Sequence, residues 1–137
     1  MQSQGRIVLV IEAVHAARDE LADGLRRRGL VAIPVADPAS ATVVLRSVRP
    51  DLVLWHGAAM DATGLAAVAG WRGRCPSARI VAVVPASAAG TDALPGSDAD
   101  AVLPATVGRD HLEAFVLRML GVEVCAPTRE DQAPDPL

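Results

Sequence analysis

Few side chains in this sequence can do chemistry, and their types restrict what that chemistry is. Glu12 directly follows the apolar run of RIVLVIE, and His56 closes the apolar run of DLVLWH. A carboxylate and an imidazole at two strand tips can act as a base and its orienting partner, or as two ligands of a metal ion. His56 as a nucleophile or base needs an activating triad, and none can be assembled from this sequence. Metal binding by histidine needs further ligands, and only one is visible. His15 and His111 read as surface residues of helices, although His15 can lie on the same rim as His56. Cys75 and Cys125 match no metal or redox spacing and read as two free thiols of a reducing compartment. The glycines show no phosphate-loop spacing. All 13 basic residues are arginine and the chain has no lysine, so no ammonium side chain is available to any site.

These residues depend on a regular series of elements. RIVLVIE (6–12) is rich in β-branched residues, as expected of a strand buried on both faces. HAARDELADGLRRRG (15–29) switches to helical spacing, with Ala17, Leu21 and Leu25 on one stripe and Gly29 as the terminating residue. The basic RRR before it complements the helix dipole. LVAIPV (30–35) is a second strand whose proline suits a sheet edge. Asp37 is the expected N-cap of a helix over 38–48, with Pro38 at its first position. DLVLWH is the third strand, and alternation turns Trp55 away from His56 and into the core. A helix over 62–73 carries Leu65, Val68 and Trp71. RIVAVV (79–84) and DAVLP (100–104) are the fourth and fifth strands, separated by a segment whose Gly90, Pro95 and Gly96 make a weak helix. RDHLEAFVLRML (109–120) is amphipathic, with Leu112, Phe115, Val116, Met119 and Leu120 on one side. Strands alternating with helices predict an α/β fold of three αβα layers, flavodoxin-like, around a five-stranded parallel sheet of order 2-1-3-4-5. Chemistry in such a sheet gathers beyond the carboxyl ends of strands 1 and 3, where Glu12 and His56 stand.

The 137 residues are enough for one domain with a real core. A net charge of −3 gives no general attraction to nucleic acid. No apolar run reaches the length of a membrane span, and the N-terminus lacks the pattern of an export signal, so a cytoplasmic location is expected. Alanine abundance and arginine-only usage fit a high-GC bacterial genome. Residues 123–137 read as a disordered, acidic, proline-bearing tail.

Over residues 6 to 120 the chain resembles the receiver domain of response regulators, the CheY-like family. RPDLVLWH is similar to the family's strand 3, which leads to the phosphorylated aspartate. The glycine of DATGL is similar to the turn opening helix 3, and AVLPATVGRDHL resembles strand 5 with its lysine-proline and following turn. Carried over residue by residue, the phosphoacceptor falls on His56 and the two acidic metal ligands on Glu12 and Ala13. Anchoring on the strand instead gives Ile11 and Glu12; one carboxylate survives in either register. The hydroxyl residue after strand 4 falls on Pro85, the lysine on Ala105 and the aromatic switch residue on Val102.

The resemblance implies a receiver-like domain over residues 1–122 that has lost its phosphorylation cycle. Aspartyl phosphorylation needs a carboxylate nucleophile beside an oxygen-ligated Mg2+, with lysine and hydroxyl groups neutralising the phosphoryl oxygens. Glu12 alone supplies too little of this. Three roles for His56 stay open: a neutral imidazole filling the lost pocket, a charged pair with Glu12, or phosphate or metal binding. The expectation is a stand-alone pseudo-receiver of two-component signal transduction, not an enzyme, with no cofactor and no bound metal. It acts by phosphorylation-independent contact with another signalling protein (histidine kinase, regulator or effector) or with itself as a homodimer, and not with nucleic acid or membrane. By analogy the contact face includes Val102, Leu103, His111, Phe115 and Arg118. The alternative is a small-molecule-binding regulatory module that uses the vacated pocket, made more apolar by Pro85 and Ala105.

Overall fold

The computed structural model describes residues 5–58, 61–85 and 98–121. The expected weak helix between the last two strands, Cys125 and the acidic tail lie outside these residues. In chain order the elements are β1 (Ile7–Ile11), α1 (His15–Arg27), β2 (Val31–Val35), α2 (Pro38–Val44), β3 (Leu52–His56), α3 (Ala62–Arg74), β4 (Arg79–Val84), β5 (Ala101–Pro104) and α4 (Arg109–Met119). All strand pairs are parallel and their order is β2-β1-β3-β4-β5. This is the flavodoxin-like layout the strand–helix alternation predicts. Pro34 does lie on an edge strand, where its missing N–H costs no ladder bond.

Local signals account for most element ends. Gly29 has φ of +90°. Its N–H donates to Arg26 O at 2.9 Å, and the N–H of Leu30 donates to Leu25 O at 3.2 Å. Together these close α1 in a Schellman motif, with the buried side chains of Leu25 and Leu30 beside it. Asp37 caps α2 by accepting the N–H of Ser40 at 2.7 Å, and this bond holds its carboxyl below the ordinary value. Asp61 caps α3 by accepting the N–H of Gly64 at 2.9 Å, so Gly64 sits inside the first helical turn. The second helix stops at Val44 and does not run to 48. Arg49 precedes Pro50, which disfavours helical backbone, and the chain leaves the helix through turns before that point.

Parity of the strands divides the core in two. Val8, Val10, Leu52, Leu54, Val81 and Val83 face α1 and α4, where Leu21, Leu25, Leu112 and Val116 meet them. Leu9, Ile11, Val53, Trp55, Ile80 and Ala82 face α2 and α3. There Trp55 and Trp71 meet edge to face at 5.4 Å, and the indole N–H of Trp71 donates to Thr42 Oγ1. Cys75 is buried beside this cluster, and burial pushes its thiol up.

One polar contact crosses the first core. Glu113 of α4 is buried and accepts from Arg28 Nε at 2.8 Å. A Cβ on Gly24 of α1 would lie 2.0 Å from Glu113 Oε2. Glycine at position 24 therefore makes room for a carboxylate from the neighbouring helix. Glycine to alanine inside a helix ordinarily stabilises by up to about 1 kcal/mol. Here Gly24→Ala is expected to destabilise by about 1–3 kcal/mol, because it displaces a buried, ion-paired carboxylate. Urea denaturation of Gly24→Ala with and without Glu113→Ala checks this, since the sign should revert to stabilising in the Glu113→Ala background.

Candidate functional site

Parity also brings the two chemical residues together. β1 and β3 pair with Val10 beside Leu54 and Ile11 beside Trp55, so the next positions, Glu12 and His56, are neighbours at the C-terminal edge of the sheet. Both continue the parity of Val10 and Leu54 toward α1 and α4. Ile11 points to the opposite core, and Ala13 is exposed beyond Glu12.

The Glu12 carboxylate is buried and both of its oxygens are engaged. One Oε accepts the backbone N–H of Val14 at 2.9 Å; the other contacts Nδ1 of His56. The backbone of the same residue is held from two sides: its N–H donates to Val35 O at 3.1 Å, and its carbonyl accepts from Arg18 at 3.0 Å. A hydrogen bond from this ring to an ionised carboxylate, which only accepts, requires the imidazole proton on Nδ1. His56 is half-buried, and Gly57 after it turns at φ of +83° so that its N–H and that of Ala58 both donate to Val83 O. His15 does not join this pair. It lies exposed on the first turn of α1, 3.0 Å from Arg18 and 3.4 Å from Asp19.

The other positions singled out in the sequence are spread along the same edge. Pro85 follows β4 and Ala105 follows β5, both exposed, and Ala105 N–H donates to Val84 O. Neither side chain offers a polar group. Val102 and Leu103 alternate: Val102 packs toward the α3 core, and Leu103 toward the α4 core with Phe115. Arg118 lies 5.8 Å over the Phe115 ring, and His111 is exposed.

Two features of the site have no local sequence signal. A cleft of about 210 Å³ opens beside His56 between α1 and α4, floored by Ala17, Leu21, Val107 and Leu112. At its rim Arg109 donates to Glu20 at 2.8 Å across 89 residues of sequence. Only the folded arrangement of α1 against α4 brings these groups together.

Mg2+ does not suit this donor set. It takes about six oxygens in an octahedron, whereas Glu12 has both carboxylate oxygens committed, the Ala13 side chain has no oxygen, and the His56 side chain offers nitrogen. Among the described residues no group of three or more His, Cys, Asp or Glu side chains could hold a metal ion.

No protein-family model and no curated protein sequence matches the chain. Solved structures do resemble it. An uncharacterized protein from Neptuniibacter caesariensis superposes with a TM-score of 0.75 at 16% identity, covering 98% of both chains. A response regulator from Thermotoga maritima gives 0.71 at 17%, covering 85% of this chain and 98% of that one. A structure described as adenylate cyclase from Rhodopirellula baltica gives 0.73 at 10%, covering 96% and 98%. Further structural neighbours are response regulators and receiver domains of the CheY-like type. At these identities the likeness is one of fold, and it agrees with the sheet order and helix placement described above. No helix among the described residues is long and apolar enough to cross a membrane.

Removing the Glu12 carboxylate should open the β1–α1 turn as well as free the imidazole. Glu12→Ala is expected to lose about 1–3 kcal/mol, because Val14 N–H and His56 Nδ1–H both lose their acceptor. Glu12→Gln should cost less, since its carbonyl oxygen can still serve Val14. Chemical denaturation of the two variants beside wild type measures the difference.

Proposed function

We propose that this chain is a receiver-fold signalling module that works through protein–protein contact without being phosphorylated. The observation that carries the reading is the Glu12–His56 pair. Where the resembled family has a phosphoacceptor carboxylate, this chain has an imidazole, and the one remaining acidic group is turned inward to hold it. Ala13, Pro85 and Ala105 supply no oxygen ligand, hydroxyl or ammonium around that point. A dianionic phosphoryl group there would find no ammonium or hydroxyl group beside it, and the nearby guanidiniums are committed, Arg18 to the Glu12 carbonyl and Arg109 to Glu20. Val102, in place of an aromatic switch, leaves no ring to report such an event.

Communication then runs through a surface in one fixed state. On this reading the contact face is built on β5 and α4, from Leu103, Phe115, His111 and Arg118, with Val102 on the other side of the same edge strand. Its partner is another signalling protein, or a second copy as a homodimer, in the cytoplasm of a bacterium. No reaction is assigned to the chain. Incubation with acetyl phosphate and Mg2+ followed by intact-mass measurement is expected to leave the protein unmodified. A phosphoryl adduct mapped to His56 would contradict the proposal.

The cleft beside His56 favours a second reading, that of a module regulated by a small organic ligand. Its floor is apolar, while His56, Glu20 and Arg109 are the polar groups around it. At about 210 Å³ it is smaller than the roughly 300–1,000 Å³ of drug-sized sites, so a ligand would be of metabolite size. On this reading a small carboxylate such as benzoate or hexanoate raises the melting temperature with dose. Val107→Trp, which fills the cleft, abolishes the rise. No dose-dependent shift, or a shift that survives Val107→Trp, removes the second reading and leaves the first.

A further inference from the structure

Charge is distributed along the strand axis in a way the whole-chain balance conceals. The described residues hold twelve of the thirteen arginines and eleven of the sixteen acidic side chains, so the net charge of −3 arises outside them. Because the strands are parallel and each helix runs back against them, strand starts and helix C-termini meet at one edge of the sheet. Ten of the twelve described arginines lie at that edge; Arg18 and Arg109 are at the other.

Four of the ten serve the fold. Arg6 donates to Leu120 O, Arg26 to Asp23 and Ala32 O, Arg28 to Glu113, and Arg72 to Asp100. The other six, Arg27, Arg46, Arg49, Arg74, Arg79 and Arg118, are exposed and have no carboxylate partner among the described residues. A helix dipole accounts for cations in a last turn, but Arg49 lies in a loop and Arg79 begins a strand. Asp51, Asp98 and Asp100 share this edge. Asp51 and Asp100 are occupied by the backbone N–H groups of Ile7 and Ile80, and arginine remains in excess. The opposite edge has the reverse balance. Asp19, Glu20, Asp37, Asp61 and Asp110 are exposed there near helix starts.

We propose that the arginine edge docks onto the acidic edge of a second copy of this chain, head to tail. The two edges are complementary in sign and are the two ends of the same three layers. Stacked this way, the helix C-termini of one copy also face the helix N-termini of the next, an attractive alignment of dipoles. Such a contact joins unlike surfaces and does not close on itself, so it builds open chains of copies. A nucleic acid is the poorer fit: Trp55 and Trp71 are buried, so neither indole offers bases a stacking platform at this edge. The inference rests on charge placement, independent of the role proposed for His56, and the two can fail separately.

Sedimentation velocity tests it on the full chain. In about 10 mM salt, where the Debye length is about 30 Å, the sedimentation coefficient should climb with protein concentration past that of a dimer; in about 1 M salt it should return to the monomer value. An Arg46→Glu/Arg49→Glu/Arg74→Glu variant should stay monomeric, as should an Asp19→Arg/Asp110→Arg variant, both with wild-type circular dichroism. Mixed in equal amounts, the two should associate again past the dimer, since every contact between unlike variants then brings a basic edge to an acidic one. A wild-type monomer at low salt, self-association that survives reversal of the basic edge, or a mixture that stays monomeric overturns the proposal. Salt-sensitive retention of a DNA duplex by the wild type without self-association also overturns it, and assigns the edge to nucleic acid.

Discussion

The structure turns on one carboxylate with two acceptor oxygens and two donors to serve. Glu12 leaves β1 at the point where the chain must bend toward α1, and it takes the N–H of Val14 in that bend and the imidazole of His56 from the adjacent strand. A buried carboxylate needs its oxygens satisfied, and this one is. The same arrangement decides what the sheet tip can do. Among the described residues its one inward acidic group is spent within the protein, on the backbone of Val14 and the ring of His56.

That geometry follows from parity and order, which are properties of the sheet as a whole. Because β1 lies beside β3, the residues after Ile11 and Trp55 are forced together on the α1 and α4 side. Trp55, one position earlier, is sent to the opposite core against Trp71. The same parallel topology places each described helix start at the edge containing His56 and each described helix end at the other. The acidic caps Asp37 and Asp61 lie at the first edge, and ten of the twelve described arginines at the second. Site and charge asymmetry are thus two results of one topology.

Much of this was legible in the residues themselves. β-branched runs located the buried strands, Gly29 and Asp37 marked helix ends by conformations and hydrogen bonds that few other residues supply, and Pro34 pointed to an edge. Alternation alone separated Trp55 from His56. That Glu12 stands beside His56 was not legible from either strand alone, because it depends on the pairing of β1 with β3. The end of α2 was overestimated, since ASATVVLRSV keeps a helical look until Pro50 acts on the residue before it. The amphipathic pattern of 109–120 gave no sign that Glu113 is buried. Its burial depends on a glycine in another helix and on Arg28, contacts that no local pattern encodes. The cleft and its Arg109–Glu20 rim were hidden for the same reason.

The central claim is that the Glu12 carboxylate holds His56 with its proton on Nδ1. Long-range 1H–15N correlation of the histidine rings measures this directly, comparing wild type with Glu12→Gln. The account predicts a protonated Nδ1 for His56 in the wild type, with a slowly exchanging proton that is lost in the variant. A ring that shows the same averaged tautomer signals in both proteins, like those of the exposed His111, would contradict it.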